Sequence, residues 1–239
     1  MAMLVANDCL ITYDGIALSG DSNSVKMEYS ADAKQCTCFG DTTDIYLGGL
    51  PRTEWSINGF WNTENYITVR ASPGAAKKPL SVVPNGNTAG NKALFAEVVA
   101  GAYNIGTSID EVIPFEFTGK GTGPLVGGYL FEATTKSAAA TTYTGGIQLG
   151  ALASGQTLYA LAQCTAITDT SPTLTVTVQS DDNGDFSSAE DRQALTEISA
   201  VGSVWQEYST AQTDDYWRFK VVVGGTDPSV TYVLCMQIV

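Results

Sequence analysis

Residues 8–62 read DCLITYDGIALSGDSNSVKMEYSADAKQCTCFGDTTDIYLGGLPRTEWSINGFWN, and this stretch decides the fold class. In Val25, Met27 and Tyr29, and again in Trp55, Ile57, Gly59 and Trp61, every second residue is mostly apolar. Lys26, Glu28, Glu54, Ser56 and Asn58 take the other face. That is the two-residue period of a half-buried strand. Strands are expected at 9–13, 16–18, 23–30, 32–39, 44–47 and 52–61, with Asp14–Gly15 as a hairpin turn. Between the two regular strands lies GDTTDIYLGG, residues 40–49, which mixes polar and apolar side chains in nearly equal measure. It reads as a contact surface rather than a tight turn or a solvated linker.

Working outward, residues 71–91 hold three prolines and the adjacent Lys77 and Lys78, and read as an exposed loop. The following KALFAEVVAGAY places Ala93, Leu94, Val98 and Ala102 near helical spacing, so a helix is expected there, with a strand as the alternative for so short an apolar run. Strands at 112–118 and 125–133 would close a first sandwich, and the small, polar residues 134–146 read as a linker. A second strand set follows at 147–152, 156–164, 173–180, 192–198, 203–208, 215–223 and 230–238. The expected organisation is a first β domain over 1–133, a linker over 134–146 and a second β-sandwich or jelly roll over 147–239. The last strand, SVTYVLCMQI, is apolar on both faces and should lie centrally in its sheet.

Composition supports an all-β chain and narrows function. Of 239 residues 44% are hydrophobic, ample for a buried core, and 24 Gly and 8 Pro are spread through the chain in the manner of a turn-rich protein. Twelve basic against 25 acidic residues give a net charge of −13, a sign that argues against a DNA-reading face. No histidine is present, which removes the commonest general base and metal ligand; no enzyme activity and no cofactor are expected. The five cysteines, Cys9, Cys36, Cys38, Cys164 and Cys235, are an odd number, and reduced buried thiols are expected. MAMLVAND lacks the features of a leader, no apolar run reaches membrane-spanning length, and folding in the cytoplasm is expected, with no membrane partner.

Several constellations have a chemical and a plain reading. Cys36-Thr37-Cys38 lacks further soft ligands and reads as two small core or interface side chains. The run Ser180–Asp185 has the oxygens of a calcium loop, but counting from Asp181 the sixth and twelfth positions are Phe186 and Arg192, and Asn183–Gly184 reads as a turn. GKGTGP at 119–124 lacks the Lys-Ser/Thr ending of a phosphate loop. The pairs Asp110–Glu111 and Asp214–Asp215 would point to opposite faces of a strand, unlike the paired acids of a glycosidase. Trp205, Tyr208, Tyr216 and Trp217 could make a sugar-stacking platform, although Trp217 alternates with Phe219, Val221 and Val223 as a core residue would.

Across residues 8–132 the chain resembles the tail tube, or major tail, proteins of long-tailed, non-contractile, siphophage-like bacteriophages. The resemblance rests on the turn Ser19-Gly20-Asp21 with Asn23-Ser24, the strand Val25–Tyr29, the hairpin entry Thr37 with Phe39-Gly40-Asp41, and the return from Gly49-Leu50 to Trp55-Ser56-Ile57 and Gly59-Phe60-Trp61. It implies a tail-tube-type β-sandwich with one flanking helix and a long stacking loop, copies of which form stacked rings around a continuous β-barrel. Asp41, Thr42, Thr43, Asp44, Ile45, Tyr46 and Leu47 would form the inter-ring stacking loop. The implied partners are the chain itself, in rings of six with three as the alternative, and the tape measure and tail-end proteins. Genome DNA would pass an acidic lumen without specific binding. The implied location is the virion tail, after synthesis in the host cytoplasm. The chain departs from the shortest relatives in its C-terminal half, expected to face outwards. The alternative reading is a carbohydrate-binding decoration or adhesion module of a capsid or tail.

Overall fold

A computed structural model describes residues 8–40, 42–106, 112–169 and 171–239. The expected fold class holds: the regular structure is nearly all strand, with one helix among the described residues. In chain order the elements are β1 (Leu10–Tyr13), β2 (Ile16–Ala17), β3 (Ser22–Gln35), β4 (Tyr46–Phe60), α1 (Thr63–Arg70), β5 (Lys78–Val83), β6 (Lys92–Ile105), β7 (Pro114–Gly121) and β8 (Val126–Lys136). They continue as β9 (Ala140–Tyr143), β10 (Ile147–Gln148), β11 (Leu158–Thr168), β12 (Thr173–Asp181), β13 (Glu190–Ala194), β14 (Gly202–Tyr208), β15 (Tyr216–Gly224) and β16 (Ser229–Ile238).

The chain forms two compact units: Met1–Gly20, Lys78–Phe95 and Val126–Val239 in one, Asp21–Lys77 and Ala96–Leu125 in the other. This differs from the sequential division at 133 and 147. β8, read as the end of a first domain, pairs along Tyr129–Lys136 with the C-terminal strand β16. The segment 134–146 is no linker: it holds the end of β8 and all of β9, which pairs with β15. Small, polar composition marks exposed strand as readily as linker when one face meets solvent.

In the first unit one sheet runs β14-β11-β16-β8-β6-β5-β1-β2, with β6 contributing its first residues. β16 lies between β11 and β8, the central place expected from its two apolar faces. One face meets a second sheet, β10-β15-β12-β13 with β9 on β15, and the sandwich core between them gathers Phe131, Leu174, Trp217, Phe219, Tyr232 and Met236. Phe131 and Phe219 meet edge to face at 5.3 Å across the layers. Each such side chain stabilises by about 1.5–3 kcal/mol on burial.

The other face of β11 and β16 is also buried, under Val83, Phe95, Val126 and Leu130. The sheet rolls, so that its two ends meet. Gln163 on β11, fully buried, accepts a hydrogen bond from Gly15 N at 3.0 Å and donates to Ser81 Oγ at 3.0 Å and Thr12 O at 3.4 Å. Ser203 donates to Asp14 Oδ1 at 2.6 Å, and Lys78 pairs with Asp14 at 2.7 Å. Gly15, at φ +79°, must be glycine: a Cβ there would lie 2.5 Å from Cys164 O.

Two sequence expectations fail in this region. The predicted helix at 92–103 is strand β6, in which Ala93, Phe95, Val98 and Ala100 are buried in alternation interrupted once, at Phe95-Ala96. That interruption falls where β6 leaves β8, pairing from Val98 onward with β7, and it gives the helix-like spacing. The predicted loop 71–91 contains β5, buried from Pro79 to Val83 and paired with β1.

The second unit is an antiparallel sheet in the order β3-β4-β7-β6. Trp55, Ile57, Phe115, Phe117, Val98 and Ala100 are buried on one face, where Trp55 packs edge-on to Phe117 at 4.8 Å. α1 lies on this side through Tyr66, 6.2 Å from Tyr103, with Val69 buried. Asn62 caps the helix, its side chain accepting from Glu64 N at 2.9 Å. Asp21 holds the cap in turn, accepting from Asn62 at 2.9 Å and Asn65 at 2.7 Å.

Candidate functional site

β3 and β4 are the longest strands of the second unit, and they outrun their sheet. β4 pairs with β7 only from Glu54 to Phe60, whereas it pairs with β3 from Tyr46 onward. Beyond Thr53 the two strands form a ribbon with no further strand against it among the described residues. Ala31–Gln35 alone extend it by about 17 Å at strand rise. Burial stops at the same point: Thr53, Trp55, Ile57 and Gly59 are buried, while Tyr46, Leu47, Gly48 and Leu50 are exposed and Gly49 is half-buried. Phe39 is fully exposed and Leu50 is 91% exposed, with Ile45, Tyr46 and Leu47 also exposed. An isolated two-stranded ribbon is marginally stable in water, and so many uncovered large apolar side chains mark a contact surface.

The predicted stacking residues fall at this tip, in two structural classes. Tyr46 and Leu47 begin β4, opposite Gln35 and Lys34. Thr42, Thr43, Asp44 and Ile45 belong to the connection; Asp41 lies outside the described residues. The connection is tied by Cys36 N to Ile45 O at 2.8 Å, Ile45 N to Thr37 Oγ1 at 3.0 Å, and Gln35 Nε2 to Asp44 Oδ1 at 2.9 Å. Cys38 is exposed and Cys36 half-buried, so the expectation of buried thiols holds for Cys164 and Cys235 and fails here. Burial pushes the Cys164 thiol up to about 11 and the Cys235 thiol up to about 12.

The ribbon bends where the register slips between Ala31↔Pro51 and Ala33↔Gly48, leaving an additional residue on β4. A Cβ on Gly49 would lie 2.7 Å from Asp32 O, so this bulge needs glycine. Arg52 spans it, donating to both Asp32 oxygens at 3.1 and 3.2 Å. β3 is also the sheet's edge: over its whole length β4 is its one strand partner among the described residues. Long unpaired edges are ready to pair with another chain.

The face of this sheet opposite α1 is polar. Cross-strand rows run Glu28–Glu54–Lys120 and Lys26–Ser56–Thr118. Lys26 pairs with Glu28 at 2.7 Å, Arg52 with Glu54 at 3.8 Å, and Lys120 with Glu54 at 3.9 Å. The hydrogen bond to Glu28 holds the Lys26 ammonium above its ordinary range, and the same bond holds the Glu28 carboxyl below its own. Sequence alternation placed Lys26, Glu28, Glu54 and Ser56 on one face; Arg52, Thr118 and Lys120 join them through the register, and the Asp32 contact depends on the bulge.

The other constellations take their plain readings. Asp181 accepts from Asn183 N at 3.0 Å and Ser188 N at 2.9 Å, which makes a turn of the acidic run. Trp217 is fully buried and donates to Gly150 O at 2.9 Å. Trp205 packs against Phe95 and Tyr159. Asp110–Glu111 lies outside the described residues. No described helix is long and apolar enough to cross a membrane.

Comparison with known proteins gives only loose likeness. No protein-family model and no curated protein matches the chain. A chain from the virion of a native gene transfer agent particle is similar at 13% identity and a TM-score of 0.44, over 52% of this chain and 98% of its own. The Dit protein of phage SPP1, described as a paradigm of the hub adsorption apparatus in phages infecting Gram-positive hosts, is similar at 12% identity and a TM-score of 0.41, over 97% of this chain and 99% of its own. Both scores fall short of the level at which two chains are taken to share one fold.

Proposed function

We propose that this protein is a structural subunit of a bacteriophage tail tube, located in the virion and without enzymatic activity. Copies associate side by side into rings of six, and rings stack through the β3–β4 ribbon, with residues 42–47 and Phe39 seated on the adjacent ring. The observation that carries the reading is the ribbon itself, which holds Phe39, Tyr46, Leu47 and Leu50 clear of the rest of its sheet. The unpaired edge of β3 supports the lateral contact, since closing a ring pairs the edge of every subunit. The polar face opposite α1 then lines the bore, through which DNA passes without sequence-specific contact. Tape measure and tail-end proteins are the further partners of this arrangement.

Replacing residues 36–45 with Asn-Gly tests the reading, because Gln35 and Tyr46 are already paired and a two-residue turn joins them without strain. The variant is expected to keep its circular dichroism spectrum and to stop at single rings or free chains. Tubes of normal length from this variant would refute the stacking role.

A further inference from the structure

We infer that the open face of the β3-β4-β7-β6 sheet is a charge-masked surface for duplex DNA, on which carboxylates hold three cations out of reach of passing phosphates. The inference rests on the tail tube reading and departs from the simple expectation of an acidic lumen. On this face Lys26, Arg52 and Lys120 meet Glu28, Asp32 and Glu54 in pairs no longer than 3.9 Å. The chain's net charge of −13 therefore does not arise from this cluster.

The pairing has a cost that points to a role. Glu28 lies directly opposite Glu54 across the β3–β4 ladder, and like charges in that position destabilise a sheet. Exposed ion pairs return little stability: Lys26 and Lys120 are 69% and 77% exposed. What the arrangement changes is the field above the sheet. Lys26, Glu28, Glu54 and Lys120 share with Gly101 and Gly119 the lining of an open depression of about 480 Å³. Stripped of its acids, the cluster would present three cations on adjoining strands about 4.8 Å apart, a footprint for a phosphate backbone.

The test uses the full chain and a fluorescein-labelled 30-base-pair duplex, read by fluorescence anisotropy between 50 and 200 mM salt, over which the Debye length falls from about 14 to about 7 Å. The wild-type protein is expected to leave the anisotropy unchanged. Glu28→Gln with Asp32→Asn and Glu54→Gln should bind, with log K falling against log salt at a slope of about −2.7, or about −0.9 for each of three phosphates neutralised. Adding Lys26→Gln, Arg52→Gln and Lys120→Gln should abolish that binding. A control of equal charge change, Asp182→Asn with Asp185→Asn and Glu197→Gln, removes exposed acids from the first unit and should not bind. Binding by the wild type or the control, or no binding by the folded triple variant, overturns the inference. If the triple variant loses its circular dichroism spectrum, Asp32→Asn with Glu54→Gln, which together release Arg52 and Lys120, is read for a slope of about −1.8 on the same criterion. Since binding is read on dispersed chains, failure here leaves stacking untouched, whereas tube imaging of the same samples reports on stacking alone.

Discussion

Gln163 should be the most sensitive polar position in the first unit. It is fully buried, and its side chain joins β11 to the β1–β2 turn and to β5 through Gly15 N, Thr12 O and Ser81 Oγ. Gln163→Leu preserves bulk and removes all three links. Gly15 N then loses its acceptor inside the roll, at a cost of about 1–3 kcal/mol. Ser81 retains Thr12 Oγ at 2.6 Å, so its loss is one hydrogen bond, about 1 kcal/mol. The sum, about 2–4 kcal/mol, is a large part of a total stability of about 5–15 kcal/mol. In urea, followed by tryptophan fluorescence, the midpoint should fall by about 1 M with an unchanged slope, given a slope near 3 kcal/mol per M. Gln163→Glu should be worse at neutral pH and recover as pH falls. The buried carboxyl would have its pKa raised above the unfolded value, so its charged form opposes folding increasingly as pH rises. A midpoint within about 0.2 M of wild type for Gln163→Leu would refute the argument that these bonds close the roll.

A chain ending at Ser137 should fail to fold its first unit, because β8 loses β16 and Leu130 and Phe131 lose the strands that cover them; a cooperative thermal transition with native near-ultraviolet dichroism would contradict the division into units. Burial alone would raise the Asp214 carboxyl, but the Ser180 hydroxyl and the Arg192 guanidinium, both at 2.6 Å, hold it below its ordinary range. Its contribution is therefore present above the unfolded pKa near 4 and lost as pH falls through the folded value, so Asp214→Asn should cost up to about 1 kcal/mol at pH 7 and close to nothing near pH 2. An equal difference at both pH values would contradict the assignment. A maleimide should label Cys38 within minutes and leave Cys164 and Cys235 untouched until urea is added, as peptide mass spectrometry would report; native labelling of Cys235 would contradict its burial.

Local pattern sufficed where one face of a strand meets solvent. Val25–Met27 and Trp55–Gly59 alternate because α1 and its neighbours cover only one side of that sheet, although Tyr29, expected on the covered face, is exposed; Asp14–Gly15 announces its turn through the positive φ both residues adopt. It failed where a strand changes partner: Phe95 and Ala96 are both buried at the point where β6 passes from β8 to β7, and the slip imitates a helix. β5 was hidden by Pro79 within it and Pro84 directly after it, and α1 by its eight residues and the β-branched Ile67, Thr68 and Val69. The unit boundaries rest on β1–β5 and β8–β16 pairings of long sequence separation, which no local window contains. At the candidate site the mixed polarity of residues 40–49 was legible. The extension of β4 back to Tyr46 and the Arg52–Asp32 contact across the bulge were not, because both depend on register.

Electron cryomicroscopy of the purified full-length chain tests the central claim most directly. The account predicts rings that stack into tubes, with the unpaired edge of β3 joined to a neighbouring copy and with Phe39, Tyr46 and Leu47 buried against the next ring. Particles that remain single chains at every concentration, or tubes in which the ribbon tip stays exposed to solvent, would contradict it.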